Sequence, residues 1–531
     1  MGATNFNLVD EPWIDVAGHP RQSLRQFFTG GGEFRNFGGN AVDKMAMLRF
    51  MLALAHAAVE LPDDAAWRAL TPGVLAQKIL AYLDTWHDAF DLFGEKPFLQ
   101  FPQLREKAKN EDKILPYSAF RPGMSNNKAL LTNWDYLREI RTEDLPLMLL
   151  RGCGFGLGGG RYDNTIVLSP GYKAKLKDKE DKGRRGVPGA LVGKNGYLHS
   201  YLRGETLLET IKLNMLTLED VGEMKVFRGM GRPAWEKLPD GEDSPLARQY
   251  RDSYQGTLLP LDKFYLLLPE DEKIILTDGI AYPKDPSELV DPALTIRDVN
   301  KKKAVVWAKT ELRPWRELTA ILSFIQAAGK MSSPFFLSCG IRKLPREALV
   351  HVWTAGLQVT FQSGEQVISG SDDYVESEFS LLNSQISGYG YDRFVETMKK
   401  LDDCAEILRK CIEAYFVEMT EPNENKGKAD TGKTPQRKVS GNIKTIADHT
   451  VTVFWEIAER DAQLIIDTVF AEDLPDCEAP PELLKKWRRL VEEQYSRACP
   501  RETARQLLAW SKCRPFTRMG AKKESKGKTR N

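Results

Sequence analysis

The sequence predicts an α+β fold with two parts, a large mixed domain over residues 1–380 and a C-terminal four-helix bundle over residues 381–520. Short strand-like, helix-like and loop segments follow one another in the first part without a sustained β-α-β alternation, which disfavours a doubly wound fold. From about residue 384 the apolar residues recur at helical spacing over long stretches. Residues 521–531 are basic and poor in apolar side chains, so we expect a disordered tail there.

The elements expected in the first domain follow from local patterns. Residues 7–16 are typical of a strand, a turn and a second strand, with Trp13 as a core residue. Two apolar runs, 262–268 and 273–278, flank the polar sequence Pro-Glu-Asp-Glu and predict a hairpin. Helices are expected where apolar residues recur every three or four positions, over residues 43–59, 73–90 and 207–218.

The predicted bundle begins with an apolar stripe that spans about six helical turns. Its members are Phe394, Met398, Leu401, Cys404, Leu408, Cys411 and Tyr415. Prolines mark the ends of the further helices, which we expect over residues 443–470, 481–499 and 501–512. A polar linker, residues 421–441, separates the first helix from the second, and four amphipathic helices pack most naturally as a bundle.

Composition favours a soluble, cytoplasmic protein with almost no net charge, in which any strongly charged region must be a local patch. The formal net charge is only +1, so nucleic-acid binding would depend on basic patches and not on an overall basic field. The seven cysteines are odd in number and form no CxxC, which excludes a disulfide framework and a zinc signature and fits a reducing compartment. The most apolar stretch, residues 45–59, contains Arg49 and is too short to span a bilayer, so we expect no membrane partner.

The six histidines form no catalytic or metal-binding pattern. No two of them have the HxxxH or HxH spacing of a metal site. The sequence also lacks a GxSxG elbow and a Cys/His nucleophile signature. We therefore expect no enzymatic activity, no metal and no cofactor.

The most informative stretch is Arg-Gly-Cys-Gly-Phe-Gly-Leu-Gly-Gly-Gly, residues 151–160, with six glycines. We call it the glycine segment. So much glycine costs conformational entropy, and the usual reason is close approach of something to the backbone. A phosphate, a nucleic-acid groove, a neighbouring strand or an unliganded surface loop all remain open. Gly154, Gly156 and Gly159 have G-x-G-x-x-G spacing, but a dinucleotide site needs a strand before the motif, and an apolar helix-like run precedes it here.

A basic cluster follows the glycine segment. Its members are Lys173, Lys175, Lys177, Lys179, Lys182, Arg184 and Arg185, partly offset by Asp178, Glu180 and Asp181. Such runs are often only a solvated surface. Beside a glycine-rich backbone they also favour contact with a phosphate backbone, because lysines bind phosphates while glycines admit a groove.

The order of several short motifs resembles the large subunit of type I-E CRISPR Cascade, the CasA family. The resemblance spans nearly the whole chain, and it depends on the ordered occurrence of the motifs because none is specific alone. They are Asn-Leu-Val-Asp-Glu-Pro-Trp-Ile (7–14), Lys-Pro-Phe-Leu-Gln (96–100), Gly-Met-Ser-Asn-Asn (123–127), Gly-Phe-Gly-Leu-Gly-Gly-Gly (154–160), Leu-Asn-Met-Leu-Thr-Leu (213–218) and Gly-Arg-Pro-Ala-Trp (231–235), followed by the C-terminal helices.

The resemblance implies a non-catalytic, DNA-sensing subunit. Such a subunit reads a protospacer-adjacent motif (PAM) in double-stranded DNA from the minor-groove side. It helps to open the duplex so that a guide RNA can pair with one strand and form an R-loop. Its implied partners are target DNA, the other Cascade subunits, the guide RNA indirectly, and a separate helicase–nuclease that it recruits.

The resemblance also implies two loops that contact nucleic acid. The glycine loop, residues 156–160, would read the PAM through Gly156, Gly158, Gly159 and Gly160, with Gly159 as the best match. A backbone without side chains can enter a narrow minor groove, whose donor and acceptor code is poor. A second loop would contact DNA and anchor the subunit near the guide, and it maps to Asn126, Asn127, Leu130 and Leu131. The two leucines replace a tip that is partly aromatic in the family.

A lysine and a wedge complete the implied site. The lysine maps to Lys273, and the wedge falls within residues 357–364. Gln362 matches best if one residue is inserted, Gln358 is the alternative, and Phe361 could stack on a base. A cysteine cluster that some relatives carry in the first domain is absent here, which puts any metal in doubt but leaves the DNA interpretation unchanged.

Two other function classes stay open from the sequence. One is a nucleotide-dependent enzyme that uses the glycine segment as its phosphate site. The other is a structural scaffold whose bundle docks partners. A fluorescent-nucleotide titration and a duplex-binding assay separate the enzyme from the DNA reader.

Overall fold

The structure is a computed structural model, and the described residues are 5–108, 114–121, 139–159, 166–170, 172, 187–283, 291–299, 302–310, 314–322, 334–370, 373–386, 388–420, 441–471 and 478–516. The chain divides into two compact units, Met1–Asn383 and Ser384–Asn531. Nearly all of the predicted linker and the whole predicted tail, 521–531, lie outside the described residues.

The first unit combines helices, most of them short, with antiparallel strands. Its described helices are α1 (Leu24–Gly30), α2 (Ala41–Ala58), α3 (Asp64–Ala69), α4 (Pro72–Thr85), α5 (Leu104–Lys107), α6 (Leu145–Phe155), α7 (Leu207–Leu213), α8 (Leu218–Glu223), α9 (Pro245–Arg251), α10 (Tyr254–Leu258), α11 (Leu318–Ile321) and α12 (Phe335–Lys343). Its described strands are β1 (Ile114–Pro116), β2 (Leu198–Arg203), β3 (Lys263–Leu268), β4 (Lys273–Asp278), β5 (Ile296–Val299), β6 (Lys302–Val305), β7 (Leu349–Leu357), β8 (Thr360–Gln362), β9 (Glu365–Val367) and β10 (Tyr374–Leu382).

Helix α2 lies at the centre of the first unit's core. Its N-cap, Asn40, accepts hydrogen bonds from two backbone amides of the first turn. Every residue from Met45 to His56 is buried, and a helix that is apolar on all faces must be surrounded by protein. Helices α4, α6, α7 and α10 and strand β7 supply that surrounding. Arg49 is buried with them; Asp291 compensates its charge, and the Tyr201 hydroxyl accepts a hydrogen bond from its Nε at 3.0 Å.

The strands form small antiparallel sheets. One sheet has the order β1-β4-β3, another has the order β10-β7-β2, and β5–β6 and β8–β9 are two-stranded hairpins. The hairpin predicted from residues 262–268 and 273–278 is confirmed as β3 and β4, with Leu268 paired to Lys273 at the turn. Strand β10 ends at Leu382, so the predicted domain boundary at residue 380 falls inside a strand.

The strand pair predicted over residues 7–16 is wrong. These residues make single β-bridges outside the segment, such as Asn7 to Asp91 and Val16 to Phe37, and no continuous ladder among the described residues. Their apolar side chains are buried in the core on both sides of the exposed residues 10–12, instead of marking strands that pair within the segment. Trp13 is buried as predicted, and its indole N–H donates to the Leu8 carbonyl at 2.9 Å.

Two predicted helices are shorter than their periodicity suggests. The helix predicted over 73–90 ends at Thr85 and is followed by a 3₁₀ turn, His87–Phe90. The one predicted over 207–218 divides into α7 and α8. The Asn214 side chain bonds both the backbone N–H and the carbonyl of Leu202 on β2, so a contact with another element ends α7. The local Thr217 cap then begins α8.

The described part of the second unit, apart from its first few residues, is helical: α13 (Gly388–Thr420), α14 (Gly441–Arg460), α15 (Ala462–Val469), α16 (Pro481–Ala498) and α17 (Ala504–Cys513). Helix α13 packs against each of the other four. The single helix predicted over 443–470 is wrong, because it breaks at Asp461. There the backbone N–H bonds Ala458 three residues back, and the carbonyl accepts from Ile465 in the next helix.

The apolar stripe of α13 is buried as predicted except at Cys411, which is half-buried. Leu401 and Leu408 are fully buried, and so is Ile412, which the stripe did not include. The Tyr415 hydroxyl reaches the carbonyl of Pro500 at 2.7 Å. None of the helices in the described ranges is both long enough and apolar enough to cross a membrane.

Candidate nucleic-acid interface

The glycine segment begins inside helix α6 and leaves it at a kink. Cys153 and Gly154 have non-helical backbone angles, and Gly154 has φ +90°, a conformation that L side chains rarely adopt. A Cβ at Gly152 would lie 2.4 Å from the Tyr265 hydroxyl on β3, and a Cβ at Gly154 would lie 2.6 Å from Leu191. The first half of the segment therefore lacks side chains because neighbouring protein occupies the space.

Backbone hydrogen bonds hold the kink against residues 187–193. Leu191 N donates to the Gly154 carbonyl and Gly189 N to the Gly156 carbonyl, both at 2.8 Å. On the other side, Gly154 N donates to Asp262 Oδ1 at 3.0 Å, and Ala190 N donates to Asp262 Oδ2 at 2.6 Å. The Asp262 carboxylate thus accepts hydrogen bonds from both backbone segments at the kink, one at Gly154 and one at Ala190.

Asp262 is titratable near neutral pH because of its surroundings. Burial raises the pKa of Asp262 to about 6, although Lys263 and the two backbone N–H groups act in the opposite direction. Lys263 itself donates to Asp278 and to the Val187 carbonyl, both at 2.5 Å. Through Lys263, the β3–β4 hairpin therefore bonds residues 187–193, the segment that in turn bonds the glycine segment at Gly154 and Gly156.

The β8–β9 hairpin lies beside the described part of the glycine loop, residues 156–159. Thr360, Phe361 and Gln362 pair with Val367, Gln366 and Glu365. Ser363 and Gly364 between them both have positive φ, 52° and 86°, as a two-residue type I′ turn requires. Gln362 is therefore the last paired residue before the tip. Phe361 is 45% exposed, which is unusual for so large an apolar side chain.

Gln366 joins this hairpin to the glycine loop, and sequence reasoning missed it. Gly158 N donates to Gln366 Oε1 and Gln366 N donates to the Gly158 carbonyl, both at 2.8 Å. The amide Nε2 donates to the carbonyls of Gly193 and Lys194 at 2.8 and 3.0 Å. Gln366 is only 2% exposed. The partners are about 170 and 210 residues away in sequence, so no local pattern could identify the contact.

A recess opens between the glycine loop, the β8–β9 hairpin and the β3–β4 hairpin. Residues 156–159 form one edge, Glu365 and Gln366 form another, and Tyr265 and Leu276 contribute from the sheet. The remaining lining comes from Ala119, Phe120, Arg121, Met148, Arg151, Gly152 and Phe155. A Cβ at Gly159 would lie 3.3 Å from the Glu365 side chain, so the second half of the glycine segment meets the hairpin and the recess.

Lys273 lies on the β3–β4 hairpin, which also contributes Tyr265 and Leu276 to the lining of the recess. It is exposed and is the first residue of β4, and its ammonium makes no ion pair within the described ranges. Leu276 follows three residues later, about 10 Å along the strand. Gln358 is placed differently from Gln362, since its side-chain oxygen accepts from Thr310 N at 2.6 Å. Its amide oxygen is therefore engaged within the fold.

Several predicted residues lie outside the described residues. They are Gly160 of the glycine loop, the predicted anchoring residues Asn126, Asn127, Leu130 and Leu131, and the basic cluster between Lys173 and Arg185. Their roles remain predictions from the sequence.

The G-x-G-x-x-G spacing does not have the surroundings of a dinucleotide site. It follows helix α6 instead of a strand, and its first glycine, Gly154, is buried against Leu191. A dinucleotide fold instead presents this motif between a strand and a helix N-terminus. Within the described residues, no group of three or more His, Cys, Asp or Glu side chains could hold a metal ion.

Known proteins share this arrangement of elements. The family model described as CRISPR-associated protein Cse1 matches residues 7–498. Cse1 of Thermobifida fusca aligns with 96% of this chain and 96% of its own length at 17% identity, with a TM-score of 0.67. CasA (Cse1) of Thermus thermophilus aligns over 96% and 97% at 18% identity and a TM-score of 0.64. A chain of a CRISPR RNA-guided surveillance complex aligns over 96% and 99% at 16% identity and a TM-score of 0.64. No curated protein sequence matches the chain.

Proposed function

The chain belongs to the CRISPR-associated Cse1 family, the CasA large subunit of type I-E Cascade, and from that premise we propose that it reads the PAM in double-stranded target DNA. In the same proposal it helps to open the duplex for an R-loop and recruits a helicase–nuclease. It acts within a surveillance complex of other subunits and a guide RNA. The observation that carries the proposal is the contact between the glycine loop and the β8–β9 hairpin, made through Gly158 and Gln366.

The glycine loop supplies the PAM contact in this proposal. Its backbone at residues 156–159 borders the recess, and Gly159 has no side chain to keep a DNA strand away. The minor groove is only about 6 Å wide, so backbone enters it more easily than most side chains do. The first half of the glycine segment serves a different purpose, since Gly152 and Gly154 admit Tyr265 and Leu191.

The β8–β9 hairpin supplies the wedge. Opening the first base pair beside the PAM requires unstacking, which costs a few kcal/mol. Phe361 is exposed and can stack on a base, and Gln362 stands next to the turn, where it can occupy the space that a displaced base leaves. Gln358 is the weaker candidate because it lies before β8, outside the β8–β9 hairpin.

Lys273 supplies a positive charge at the exposed start of β4 in this proposal. Leu276, three residues later on the same strand, lines the recess. A lysine ammonium can contact a phosphate or a base edge. We propose that this contact adds to PAM discrimination, while the lysines between 173 and 179 attract DNA of any sequence.

The second unit supplies the docking surface for the helicase–nuclease. Leu507 and Leu508 on α17 are 53% and 65% exposed, and Leu464 on α15 is 48% exposed. Isolated apolar residues at a surface are common, but neighbouring ones of this size favour a protein partner.

Charge introduced at Leu507 and Leu508 should leave R-loop formation intact and lower nuclease recruitment. Equal loss of both activities would indicate a structural role for the bundle.

The proposal assigns no covalent chemistry to the recess. Among the described residues, its lining includes arginines and Glu365 but no histidine. Cys153 lies at the kink of α6, and burial raises the pKa of its thiol, so it is not an activated nucleophile. We propose that the chain recognises and deforms DNA and leaves cleavage to its partner.

A random-PAM library tests the proposal most broadly. The complex, reconstituted with the chain and a guide RNA, should enrich a short motif next to the target, and the complex without the chain should not. A fluorescent nucleotide titrated against the chain should show no saturable binding. Enrichment that is independent of the chain, or tight nucleotide binding, would contradict the proposed function.

A further inference from the structure

The β8–β9 hairpin depends on contacts outside itself for its position. Among the described strands, β8 and β9 pair with each other and with no third strand. Each strand has three residues, and a two-stranded hairpin of this size is marginal in water on its own. A wedge must nevertheless meet one particular base pair, and a site that is loose by about 1 Å loses its function. Something must therefore fix the hairpin relative to the glycine loop.

Gln366 has the geometry to do so. Its backbone N–H and side-chain oxygen bond the two backbone groups of Gly158, so the loop and strand β9 meet in a two-point contact. Its amide nitrogen has two protons, and the carbonyls of Gly193 and Lys194 accept one each. Both N–H donors and the acceptor oxygen of the side chain are thus used, and the residue is buried.

This buried amide stands directly behind the wedge. Gln366 pairs with Phe361, and its neighbour Glu365 pairs with Gln362. Directly paired residues of an antiparallel ladder have Cα atoms about 5 Å apart. A shift of Gln366 therefore moves Phe361 and Gln362 with it, while the two backbone segments that bond Gln366, at Gly158 and at residues 193–194, resist the shift.

We propose that Gln366 is a positioning residue that holds the wedge hairpin in register with the glycine loop, so that PAM binding places the wedge at the first base pair. The inference rests on the proposed function of the two elements. Gln366 itself stays buried and does not touch DNA. Its loss leaves the PAM contact in place and misplaces the wedge.

Gln366→Met tests this in the reconstituted complex, because methionine keeps the length of the side chain and removes the amide. Gln358→Met is the matched control, since Gln358 bonds Thr310 and not the glycine loop. We measure R-loop formation with a fluorescent base at the first PAM-proximal pair. One target is fully paired and the other is mismatched there beforehand.

The expected result is selective. Gln366→Met should slow opening of the paired target roughly tenfold, as expected when buried hydrogen bonds are lost, and change the pre-opened target by less than about threefold. Gln358→Met should change neither by more than about threefold. The double variant Gln366→Met with Gln362→Ala should be no slower than the slower single variant, because both remove the same wedge. Equal slowing on both targets, or additive effects in the double variant, would overturn the proposal.

A measurement on the wild-type complex keeps the test decisive even if Gln366→Met does not fold. Gly158 N–H donates to Gln366 Oε1, and Gln366 N–H donates to the Gly158 carbonyl. Hydrogen exchange at these two amides should be at least about tenfold slower than at an exposed amide, both before and after PAM-containing DNA binds. Exchange as fast as at an exposed amide in either state would show that the hairpin is not fixed to the glycine loop, which contradicts the proposal.

Failure of the inference is distinguishable from failure of the proposed function. If the wild-type complex does not discriminate between PAM and scrambled sequences, the proposed function fails. If the wild type discriminates and Gln366→Met behaves like Gln358→Met, only the positioning role fails.

Discussion

The two halves of the glycine segment have different neighbours, and the difference shows what glycine is used for. In the first half, Gly152 and Gly154 lie against Tyr265 and Leu191, and each lacks a side chain because protein fills the space. In the second half, residues 156–159 border the recess and meet the β8–β9 hairpin. A glycine run therefore indicates close approach, but only the structure shows which element is the neighbour of each half.

The largest effect on stability is expected in the first half. Gly152→Ala places a Cβ 2.4 Å from the Tyr265 hydroxyl inside the core, and such overpacking should lower the free energy of unfolding by about 3 kcal/mol. Gly159→Ala is the comparison and should cost less, because its Cβ would lie 3.3 Å from Cβ and Cγ of Glu365, a milder approach than the 2.4 Å at Gly152 even with the strain at φ +159°. Chemical denaturation of the full chain measures both. Equal stability of the two variants would remove the distinction between the halves.

The largest effect on DNA binding is expected in the second half. Gly159→Leu should weaken PAM-containing duplex binding roughly 100-fold, because a bulky side chain keeps the groove from the backbone. The variant should still enter the complex and melt near the wild-type temperature. Electrophoretic mobility shift at matched salt is the measurement. Wild-type affinity in the leucine variant would show that DNA does not approach Gly159.

The wedge should give a smaller, conditional effect. Gln362→Ala should slow R-loop formation on paired DNA roughly tenfold and matter much less when the PAM-proximal bases are already mismatched. Stopped-flow fluorescence on the two targets measures this. Gln358→Ala serves as the control. If the control carries the larger defect, the wedge glutamine has been assigned to the wrong residue.

Lys273 should give a modest effect that depends on sequence. Lys273→Ala should lower binding to a correct PAM about fivefold and change scrambled sequences less. Neutralising Lys173, Lys175, Lys177 and Lys179 together should instead weaken all sequences alike and flatten the dependence on salt. Salt titrations on both targets distinguish the two. The reverse pattern would mean that the two roles have been exchanged.

The smallest effect concerns Asp262, which holds the first half of the segment in place. Its pKa is about 6 in the folded chain, above the ordinary 3.8, so as the pH falls the folded chain binds this proton at a higher pH than the unfolded chain does. Protonation of Asp262 therefore adds to the free energy of unfolding, fully below about pH 4, and this contribution is lost as the pH rises through about 6. Asp262→Asn should remove about 1 kcal/mol of the change in unfolding free energy between pH 5 and pH 8. An unchanged pH slope would exclude Asp262 as its source.

Local patterns predicted the features that local forces determine. The β3–β4 hairpin and the α13 stripe appear where the sequence places them, because turn chemistry and helical periodicity act over a few residues. The errors arose where a distant contact decides. Residues 7–16 pair with remote segments, and Asn214 ends α7 through its bonds to Leu202.

The site was predicted only in part, for the same reason. Glycine density and the resemblance to CasA identified the loop, Lys273 and the wedge segment as candidates. Gln366 and Asp262 escaped notice because each bonds backbone groups that lie 72 to 208 residues away. A single sequence carries no signal for such partners. Asp262 bonds Gly154 in the first half of the segment, and Gln366 joins Gly158 in the second half to the β8–β9 hairpin.

If the loop reads DNA and the hairpin opens it in separate steps at one site, variants of the two elements should fail differently. Opening of the first PAM-proximal base pair is followed in complexes that carry Gly159→Leu or Gln362→Ala, on paired and on pre-opened targets. Gly159→Leu should be defective on both targets, because PAM contact precedes opening in the proposed function, and Gln362→Ala should be defective on the paired target alone. Identical profiles for the two variants would contradict the two separate steps.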